Sequence, residues 1–572
     1  GEGTAQVQAS SSGVTGLASV SVIPQNADCV VDVSLAVGQS LVQDAAGASG
    51  CDIFLPSGSS GDRYRVGLVW PESNQNNVTV ANVTLGVTGV GGVTGGLPSP
   101  SADLALAREA LSIPGEIAEG LRDAMERDRL NTEAHIALRE EERRMLPRMI
   151  EALRESDGPW TLAAEAGLAL APSPSRWLYD PAVDSSCEAG TPRVAKLVAE
   201  NDLMAVYQDS IEAVSSPADQ AAVQEMLNYY RDHGKPVIDS YFGGAPDINA
   251  DGRLRALIAP VVASKNAVAF VWSGDMFPKA SCAQSNEMDL VYLDIGLVNA
   301  ITGTAPASAQ QWQALGTITH EAKHVSSLYN GVKGALDGGS ARGFHPSWME
   351  EGTAEIAAEM SSRTAWEAAG GPARGSRVTE QDFRDSPDVF NADNYNVVLR
   401  LARTVQYMSG RPNGLVNDQV IAHPGNIYGS GWNFHRFLGD QYGNATTPGG
   451  DGGFFSTQNA ETSTPGIAGL EALTGRSYEL LFLEYAEAVL GHSVGLGTRA
   501  VDIRTYDLRA TDILCGNAAN SVFNVLGSYP WPLTVTGTAG TCTEPEDAEE
   551  SKSFATAAYD GRLGPSGIQI LD

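Results

Sequence analysis

The chain has 572 residues, a mass of 60.0 kDa, a formal net charge of −32 and a sequence pI near 4.5. This length allows several domains, and an acidic chain without a basic stripe predicts that nucleic acid is not a partner. No apolar run reaches the roughly 18 residues that a transmembrane helix needs, so we expect a multidomain protein without a transmembrane segment.

The six cysteines fall into three regions of the chain. They are Cys29 with Cys51, Cys187 with Cys282, and Cys515 with Cys542. No pair has the C-x-x-C spacing of a metal or redox site. An even number in this arrangement, in a chain whose first residue is Gly1, predicts three disulfides in a secreted or cell-surface protein that has lost its signal peptide. Six free thiols in a cytosolic protein are the alternative.

Residues 1–97 are predicted to form an all-β module. Stretches such as "RYRVGLVW" and "NVTVANVTLGVTGV" alternate apolar and polar residues between turn-forming residues. This period of two is typical of short antiparallel strands, and we interpret the region as a β-sandwich. Its expected role is packing or attachment, including association with a cell surface.

Residues 98–175 are predicted to be a helical linker. A Gly- and Pro-containing stretch is followed by "EEERRMLPRMIEALRES", which is dense in helix formers with interleaved opposite charges. This composition favours exposed helices that connect two domains. A cleavable prosegment remains the alternative.

Residues 176–500 are predicted to form an α+β domain, and residues 501–572 a small mixed or β region. The nearly continuous apolar runs at 267–275 and 288–298 are typical of central strands, and a helical stretch with two histidines follows them. Strands and helices in this order indicate an enzyme-like domain of mixed structure.

The stretch "DINADGRL" resembles the first half of a calcium loop. Asp247, Asn249 and Asp251 alternate before Gly252, but Ile258 stands where an EF-hand needs a bidentate glutamate. A tight polar turn is therefore favoured, and a calcium site remains the alternative.

The strongest motif is "HEAKH", which contains His320, Glu321 and His324. A capping box at Ser308 and a stop at Asn330–Gly331 predict that it lies on a helix. There the two histidines stack one turn apart, so both imidazoles can reach one metal ion, and Glu321 can take a proton from a water whose pKa the ion lowers.

The core face of this helix is predicted from its apolar spacing. The residues assigned to it are Trp312, Leu315, Thr319, Ala322 and Val325.

A catalytic zinc needs a third protein ligand. In "HPSWMEEGTAEIAAE", Ser347 as N-cap would engage Glu350 in a capping box. Glu351 starts a different helical stripe that continues one turn later with Glu355. We therefore predict Glu351 as the third ligand and Glu355 as the outer carboxylate that orients a ligating imidazole.

These motifs resemble the gluzincin zinc metallopeptidases, and most of all the hyicolysin-like secreted peptidases. The resemblance rests on "HEAKH" and "WMEEGTAE" and covers roughly residues 176–500. It implies a zincin-type fold and zinc held by His320, His324 and Glu351. In "YGSGWNFHRFLGDQYG", Tyr428 and Gly431 match the Y-x-x-G segment, which implies that Tyr428 binds the oxyanion; a packing role is the alternative.

One residue departs from the gluzincin pattern. Lys323 places a cation inside the motif where these peptidases usually have an uncharged residue. Its long stem is expected to carry the ammonium away from the ion.

The remaining histidines have weaker interpretations. His345 and His435 are expected to be ordinary buried or surface histidines, with assistance to catalysis as the alternative. No partners can be assigned from the sequence to His135, His233, His423 and His492.

The expected function is that of a secreted zinc endopeptidase acting on proteins or peptides. Two alternatives stand beside it: a cell-surface structural or adhesion protein built on an inactive peptidase fold, and an adhesin stabilised by calcium.

Overall fold

A computed structural model describes most of the central chain and individual strands toward both ends. The described residues are 4–11, 14–20, 30–32, 41–44, 52–54, 63–74, 81–85, 115–155, 175–179, 187, 192–209, 217–301, 309–337, 343–386, 391–409, 415, 426–444, 450–493, 500–508, 510, 559–563 and 566–571. Four predicted disulfide cysteines (Cys29, Cys51, Cys515 and Cys542), the helix cap at Ser308 and His423 lie outside these ranges.

The N-terminal region contains β-strands, as its alternating pattern predicts. They are β1 (Thr4–Ser11), β2 (Val14–Val20), β3 (Val30–Asp32), β4 (Leu41–Asp44), β5 (Asp52–Phe54), β6 (Arg63–Trp70) and β7 (Ala81–Leu85). β1 and β2 form an antiparallel hairpin, and β1 also pairs with β4.

A central mixed sheet follows farther along the chain. Its strands are β8 (Ser175–Tyr179), β9 (Pro192–Glu200), β10 (Met204–Asp209), β11 (Leu254–Ile258), β12 (Ala269–Val271) and β13 (Leu290–Leu293). Their order is β12-β13-β11-β10-β9-β8. β10, β11 and β13 are parallel, whereas β12 is antiparallel to β13.

Two further strands bring the end of the chain back to its beginning. They are β14 (Tyr559–Leu563) and β15 (Gly567–Leu571). β14 pairs with β7, and β15 pairs with β6 in the sheet β15-β6-β1-β2-β4. Strands from the end of the chain therefore share sheets with strands from its beginning.

The described residues also include α-helices. They are α1 (Gly115–Glu155), α2 (Pro217–Tyr229), α3 (Lys235–Phe242), α4 (Val261–Ser264), α5 (Ile295–Ile301), α6 (Ala309–Leu336), α7 (Ser347–Ala368), α8 (Glu380–Arg384), α9 (Tyr395–Ser409), α10 (Asn426–Tyr442), α11 (Gly452–Ala460), α12 (Ile467–Thr474) and α13 (Tyr478–Ser493). A π-helical turn at Tyr230–Gly234 joins α2 to α3, and a 3₁₀ turn spans Ser273–Met276. The chain therefore has a mixed α/β fold.

Helix α6 packs against β12, β13 and several helices, including α1, α5 and α7. The predicted core residues Trp312, Leu315, Thr319, Ala322 and Val325 are all buried. The predicted stop at Asn330–Gly331 is wrong, because the helix continues to Leu336. A Cβ on Gly331 would lie only 2.5 Å from Phe344 Cδ1, so this glycine permits close packing instead of ending the helix.

Helix α1 differs from the exposed connector that its composition predicts. Its described side chains include buried apolar residues toward both ends, such as Leu121, Ala124, Leu146 and Leu153. It contacts α6, α7 and α9. The charges that suggested full exposure occupy both faces of the helix, and several of them are buried.

Strand β12 differs from the central position predicted for residues 267–275. It lies at the edge of the central sheet, whereas β13, within the other apolar run, lies inside it. All three residues of β12 are buried. Its apolar run therefore reflects cover by neighbouring elements and not strands on both sides.

The Cys187–Cys282 disulfide is confirmed. It ties the segment before β9 to the segment before β13. Among the described residues, no helix combines the length and apolar character required to cross a membrane.

Helices α7 and α10 cross where two glycines meet. A Cβ on Gly431 would lie 2.9 Å from both Gly352 Cα and Trp348 O. No side chain fits at this crossing, which sets the distance between the two helices.

We expect Gly431→Ala to lower the thermal unfolding midpoint, because overpacking at a rigid helix crossing costs about 1–3 kcal/mol. The matched control is Gly453→Ala in α11, where an added Cβ meets no atom within 4 Å. Differential scanning calorimetry compares the two variants. Equal midpoints for them would contradict the account of the crossing.

Candidate metal centre

The two histidines of "HEAKH" face one another on α6. His320 and His324 are both buried, and their Nε2 atoms are 3.1 Å apart. This is the arrangement expected of imidazoles one helical turn apart on one stripe.

Helix α7 brings Glu351 to the same point. Its Oε2 lies 3.2 Å from His320 Nε2 and 3.5 Å from His324 Nε2. Ligand atoms bound tetrahedrally to zinc at about 2.0–2.2 Å lie about 3.3–3.6 Å from one another. The three atoms therefore have the spacing that one bound cation requires, and the structure brings together the three residues predicted as ligands.

The outer carboxylates fix which ring nitrogen of each histidine faces the centre. His320 Nδ1 lies 3.1 Å from Glu355 Oε1, and His324 Nδ1 lies 2.8 Å from Glu350 Oε1. Assigning the ring protons to these contacts leaves a lone pair on each Nε2. Two nitrogen lone pairs and an anionic oxygen then converge in a buried space, an arrangement that a cation stabilises.

Electrostatics favour a positive charge at this point even without metal. Burial by itself would lower the pKa of His320, but its hydrogen bonds to Glu351 and Glu355 outweigh burial and raise the pKa to about 10. Burial would raise the pKa of Glu351, yet the surrounding histidines hold it well below its usual value. A proton is therefore the competitor of a metal ion here.

Sequence reasoning missed His135, a fourth buried donor that comes from α1. Its Nδ1 lies 3.0 Å from Glu351 Oε1, and its Nε2 donates to the Ala269 carbonyl at 2.9 Å. Donor atoms of His135, His320, His324 and Glu351 all lie within 4.8 Å of one another, and this is the one such group within the described ranges. The polar stripe that contains His135 on α1 could have indicated a buried polar contact. No feature of the nearby sequence linked that stripe to the "HEAKH" motif.

Glu350 does not have the capping role that the sequence predicts. Pro346 precedes α7 and no side chain caps the helix. Instead, Glu350 Oε1 accepts from His324, and Glu350 Oε2 lies 2.9 Å from Lys323 Nζ. The capping prediction is wrong because two buried partners on α6 compete for this carboxylate.

Lys323 also differs from its predicted position, because its ammonium group is buried and not directed to solvent. Burial lowers the pKa of Lys323, while the Glu350 carboxylate opposes that shift. The ion pair with Glu350 neutralises the charge of Lys323, the residue that differs from the gluzincin pattern.

Glu355 links the centre to two arginines. Its carboxylate contacts Arg403 at 2.5 Å and Arg400 at 3.0 Å in addition to His320. Burial would raise the pKa of Glu355, but the arginines and His320 lower it to about 2. An ionised Glu355 keeps the His320 ring oriented toward Glu351.

Glu321 lies beside a small cavity next to the histidines. Its side chain is buried, and among the described residues its Oε2 has no hydrogen-bond partner. The cavity has a volume of about 40 Å³ and is also lined by His320 and Tyr428, which leaves room for only a few water molecules. A carboxylate beside such a space can accept a proton from water.

Tyr428, at the start of α10, lines the same cavity. Its ring centroid is 6.2 Å from that of His320, and its hydroxyl oxygen accepts a hydrogen bond from Asn131 at 2.7 Å. Burial, followed by nearby carboxylates such as Glu351, raises the pKa of Tyr428 well above its usual value. The hydroxyl therefore keeps its proton and can act as a donor.

The candidate calcium residues form a tight polar turn. The Asp247 carboxylate accepts the N–H groups of Asp251 and Gly252, each at 2.9 Å, and Asp251 pairs with Arg255. Asp247, Asn249 and Asp251 are not part of the metal-binding group found among the described residues.

His345 and His435 are not among the metal-binding donors found in the described residues. Burial lowers the pKa of His345 to about 4 and that of His435 to about 3. His345 contacts the Gln458 carbonyl at 3.1 Å, and His435 contacts the Gly431 carbonyl at 2.7 Å. Both are neutral buried histidines at neutral pH.

Zinc affinity is expected to rise with pH. In the metal-free chain, a His320 pKa of about 10 keeps the imidazole protonated at neutral pH, and zinc must displace that proton. Affinity should increase about tenfold per pH unit between roughly pH 6 and 8, with about one proton released per ion. Calorimetric titration in two buffers of different ionisation enthalpy measures the release, and an affinity independent of pH would contradict the assignment.

Comparison with known proteins identifies no family. No protein-family model matches this chain, and no curated protein matches it. The buried group of His320, His324 and Glu351 is compatible with metal binding through an H-E-x-x-H motif, and it could hold a metal ion.

Proposed function

We propose that this chain is a zinc-dependent endopeptidase of the gluzincin type that hydrolyses protein or peptide bonds. The observation that carries the proposal is the convergence of two imidazoles and one carboxylate beside Glu321, whose Oε2 is unpaired among the described residues. A catalytic zinc site has three protein ligands and an adjacent general base.

The donor set supports zinc over other ions. Two imidazole nitrogens and one carboxylate oxygen suit zinc, whereas calcium and magnesium favour oxygen ligands. The separations of 3.1–3.5 Å between the three donor atoms also suit tetrahedral coordination.

The chemistry follows from the side chains around the cavity. Bound zinc would polarise the scissile carbonyl and acidify the attacking water. Glu321 takes the proton from that water and then passes it to the leaving amine nitrogen. Tyr428 donates its hydroxyl proton in a hydrogen bond to the carbonyl oxygen as negative charge develops there. Glu350 and Glu355 hold the imidazoles in position.

Peptide substrates and a zincin-type domain are proposed from the resemblance. The central sheet supports them because β12 is an edge strand close to α6, and edge strands can bind extended peptides. An endopeptidase is favoured over an aminopeptidase because the sequence lacks a G-x-M-E-N-like segment for gripping a free α-amine.

An extracytoplasmic location is part of the proposal. The Cys187–Cys282 disulfide supports it, since disulfides persist in oxidising compartments. The N-terminal strands are proposed to be a β-sandwich that attaches the enzyme to a cell surface.

A second candidate function is a structural protein built on this fold. Its support is His135, which supplies a fourth donor within 4.8 Å of the others. Zinc sites with four protein ligands are typically structural. On this alternative the metal would stabilise the packing of α1, α6 and α7.

Glu321→Gln should abolish hydrolysis of unfolded casein and leave zinc content near one ion per chain, because the amide cannot accept the proton yet no ligand is lost. The control is Glu367→Gln on α7, whose carboxylate pairs with Arg374 away from the centre. Gel-based cleavage and metal analysis give the readout. Undiminished cleavage by the Glu321 variant would refute the general-base role.

A further inference from the structure

Helix α1 crosses both the metal centre and the free edge of β12. Between Asp128 and Glu142 its inner stripe consists of polar residues that are all buried. They are Asp128, Thr132, His135, Arg139 and Glu142. A helix stripe that packs into a protein core is normally apolar. This buried polar stripe therefore contacts polar groups of the elements beneath it.

Four polar side chains in this stretch of α1 form hydrogen bonds with the backbone of the β12 region. Asn131 Oδ1 accepts the Val268 N–H at 3.0 Å, and Glu142 Oε1 accepts the Ser273 N–H at 2.6 Å. His135 donates to the Ala269 carbonyl and Arg139 to the Val271 carbonyl. On its other side, β12 pairs with β13.

These backbone groups are the kind that an added strand uses. An extended peptide binds a sheet edge through alternating N–H and C=O groups. Along β12 such groups are satisfied by side chains of α1, so an extended peptide cannot pair with this edge while α1 is in place.

The same stretch of α1 also contacts the proposed catalytic groups. His135 contacts Glu351, and the Asn131 amide donates to the Tyr428 hydroxyl. Asp128 binds Arg403 through two hydrogen bonds of 2.6 Å, and Arg403 in turn contacts Glu355. The cavity that remains, about 40 Å³, has room for a few waters only and none for a peptide.

We propose that α1 is an intramolecular cap that keeps the metal centre closed most of the time, with His135 at the coordination position that water or substrate would need. Peptides then enter, and casein is cleaved slowly, only when the helix moves away. Residues 128–142 occupy the edge of β12 where an extended peptide would lie. The inference concerns access to the metal; its consequence for hydrolysis rests on the proposed function.

Apolar side chains dock α1 at both ends of this polar stretch, including Leu121 and Ala124 on one side and Leu146 and Ile150 on the other. Loss of the His135 imidazole therefore opens a metal position without releasing the helix. A small metal-binding probe is the appropriate test, since it needs only the vacated space.

The test loads the full chain with Co²⁺, whose visible spectrum reports its ligands, and titrates it with acetohydroxamate. The wild-type spectrum is expected to stay unchanged, whereas His135→Ala should show a saturable shift with at least tenfold tighter probe binding. The control Glu133→Gln, on the exposed face of α1, should behave as the wild type. If His135→Ala does not fold, His135→Gln replaces it.

Probe binding to the wild type with the same affinity as to the His135 variant would overturn the cap. The absence of a spectral shift in the His135 variant would overturn it as well. Because the probe reports access to the metal and not hydrolysis, this outcome is separate from the Glu321→Gln test of the peptidase proposal.

Discussion

The structure around α6 depends on one electrostatic constraint: three electron-pair donors converge in one buried space. His320 Nε2, His324 Nε2 and Glu351 Oε2 lie within 3.5 Å of one another. Buried lone pairs at such distances repel unless a proton or a metal ion separates them. The close crossing of α7 and α10 at Gly352 and Gly431 supports this arrangement, because it fixes α7 against α10 near Glu351.

Charges around the donors are balanced by contacts between helices. Glu350 is shared by His324 and Lys323, and Glu355 is shared by His320 and the two arginines of α9. Each outer carboxylate thus orients one imidazole, and a lysine or arginine side chain neutralises the charge of the carboxylate. Lys323, inside the motif, belongs to this network because its ammonium group forms an ion pair with the Glu350 carboxylate. The departure from the gluzincin pattern is therefore compatible with a cation at the centre.

Local patterns predicted what depends on local geometry. The spacing of His320 and His324 fixes their relation on a helix. Glu351 was chosen over Glu350 by assigning Glu350 a capping role, and that capping role is wrong. The pairing of Cys187 with Cys282 followed from their distribution. Contacts between distant segments could not be predicted from local patterns. His135 reaches the centre because α1 crosses it. Glu350 binds Lys323 and His324 instead of capping its helix. Gly331 was predicted to end the helix because its contact with Phe344 arises only in the folded chain. Strand β12 was predicted to lie inside the sheet because packing against α6 gives this edge strand the apolar character of a central one.

X-ray absorption at the zinc edge, measured on the full chain loaded with one equivalent of zinc, tests the convergence of donors most directly. We predict nitrogen and oxygen neighbours at about 2.0–2.2 Å with imidazole outer-shell scattering, and loss of zinc from Glu351→Gln but not from Glu367→Gln. A shell containing sulfur, a shell of oxygen atoms without imidazole, or equal zinc retention by both variants would contradict the account.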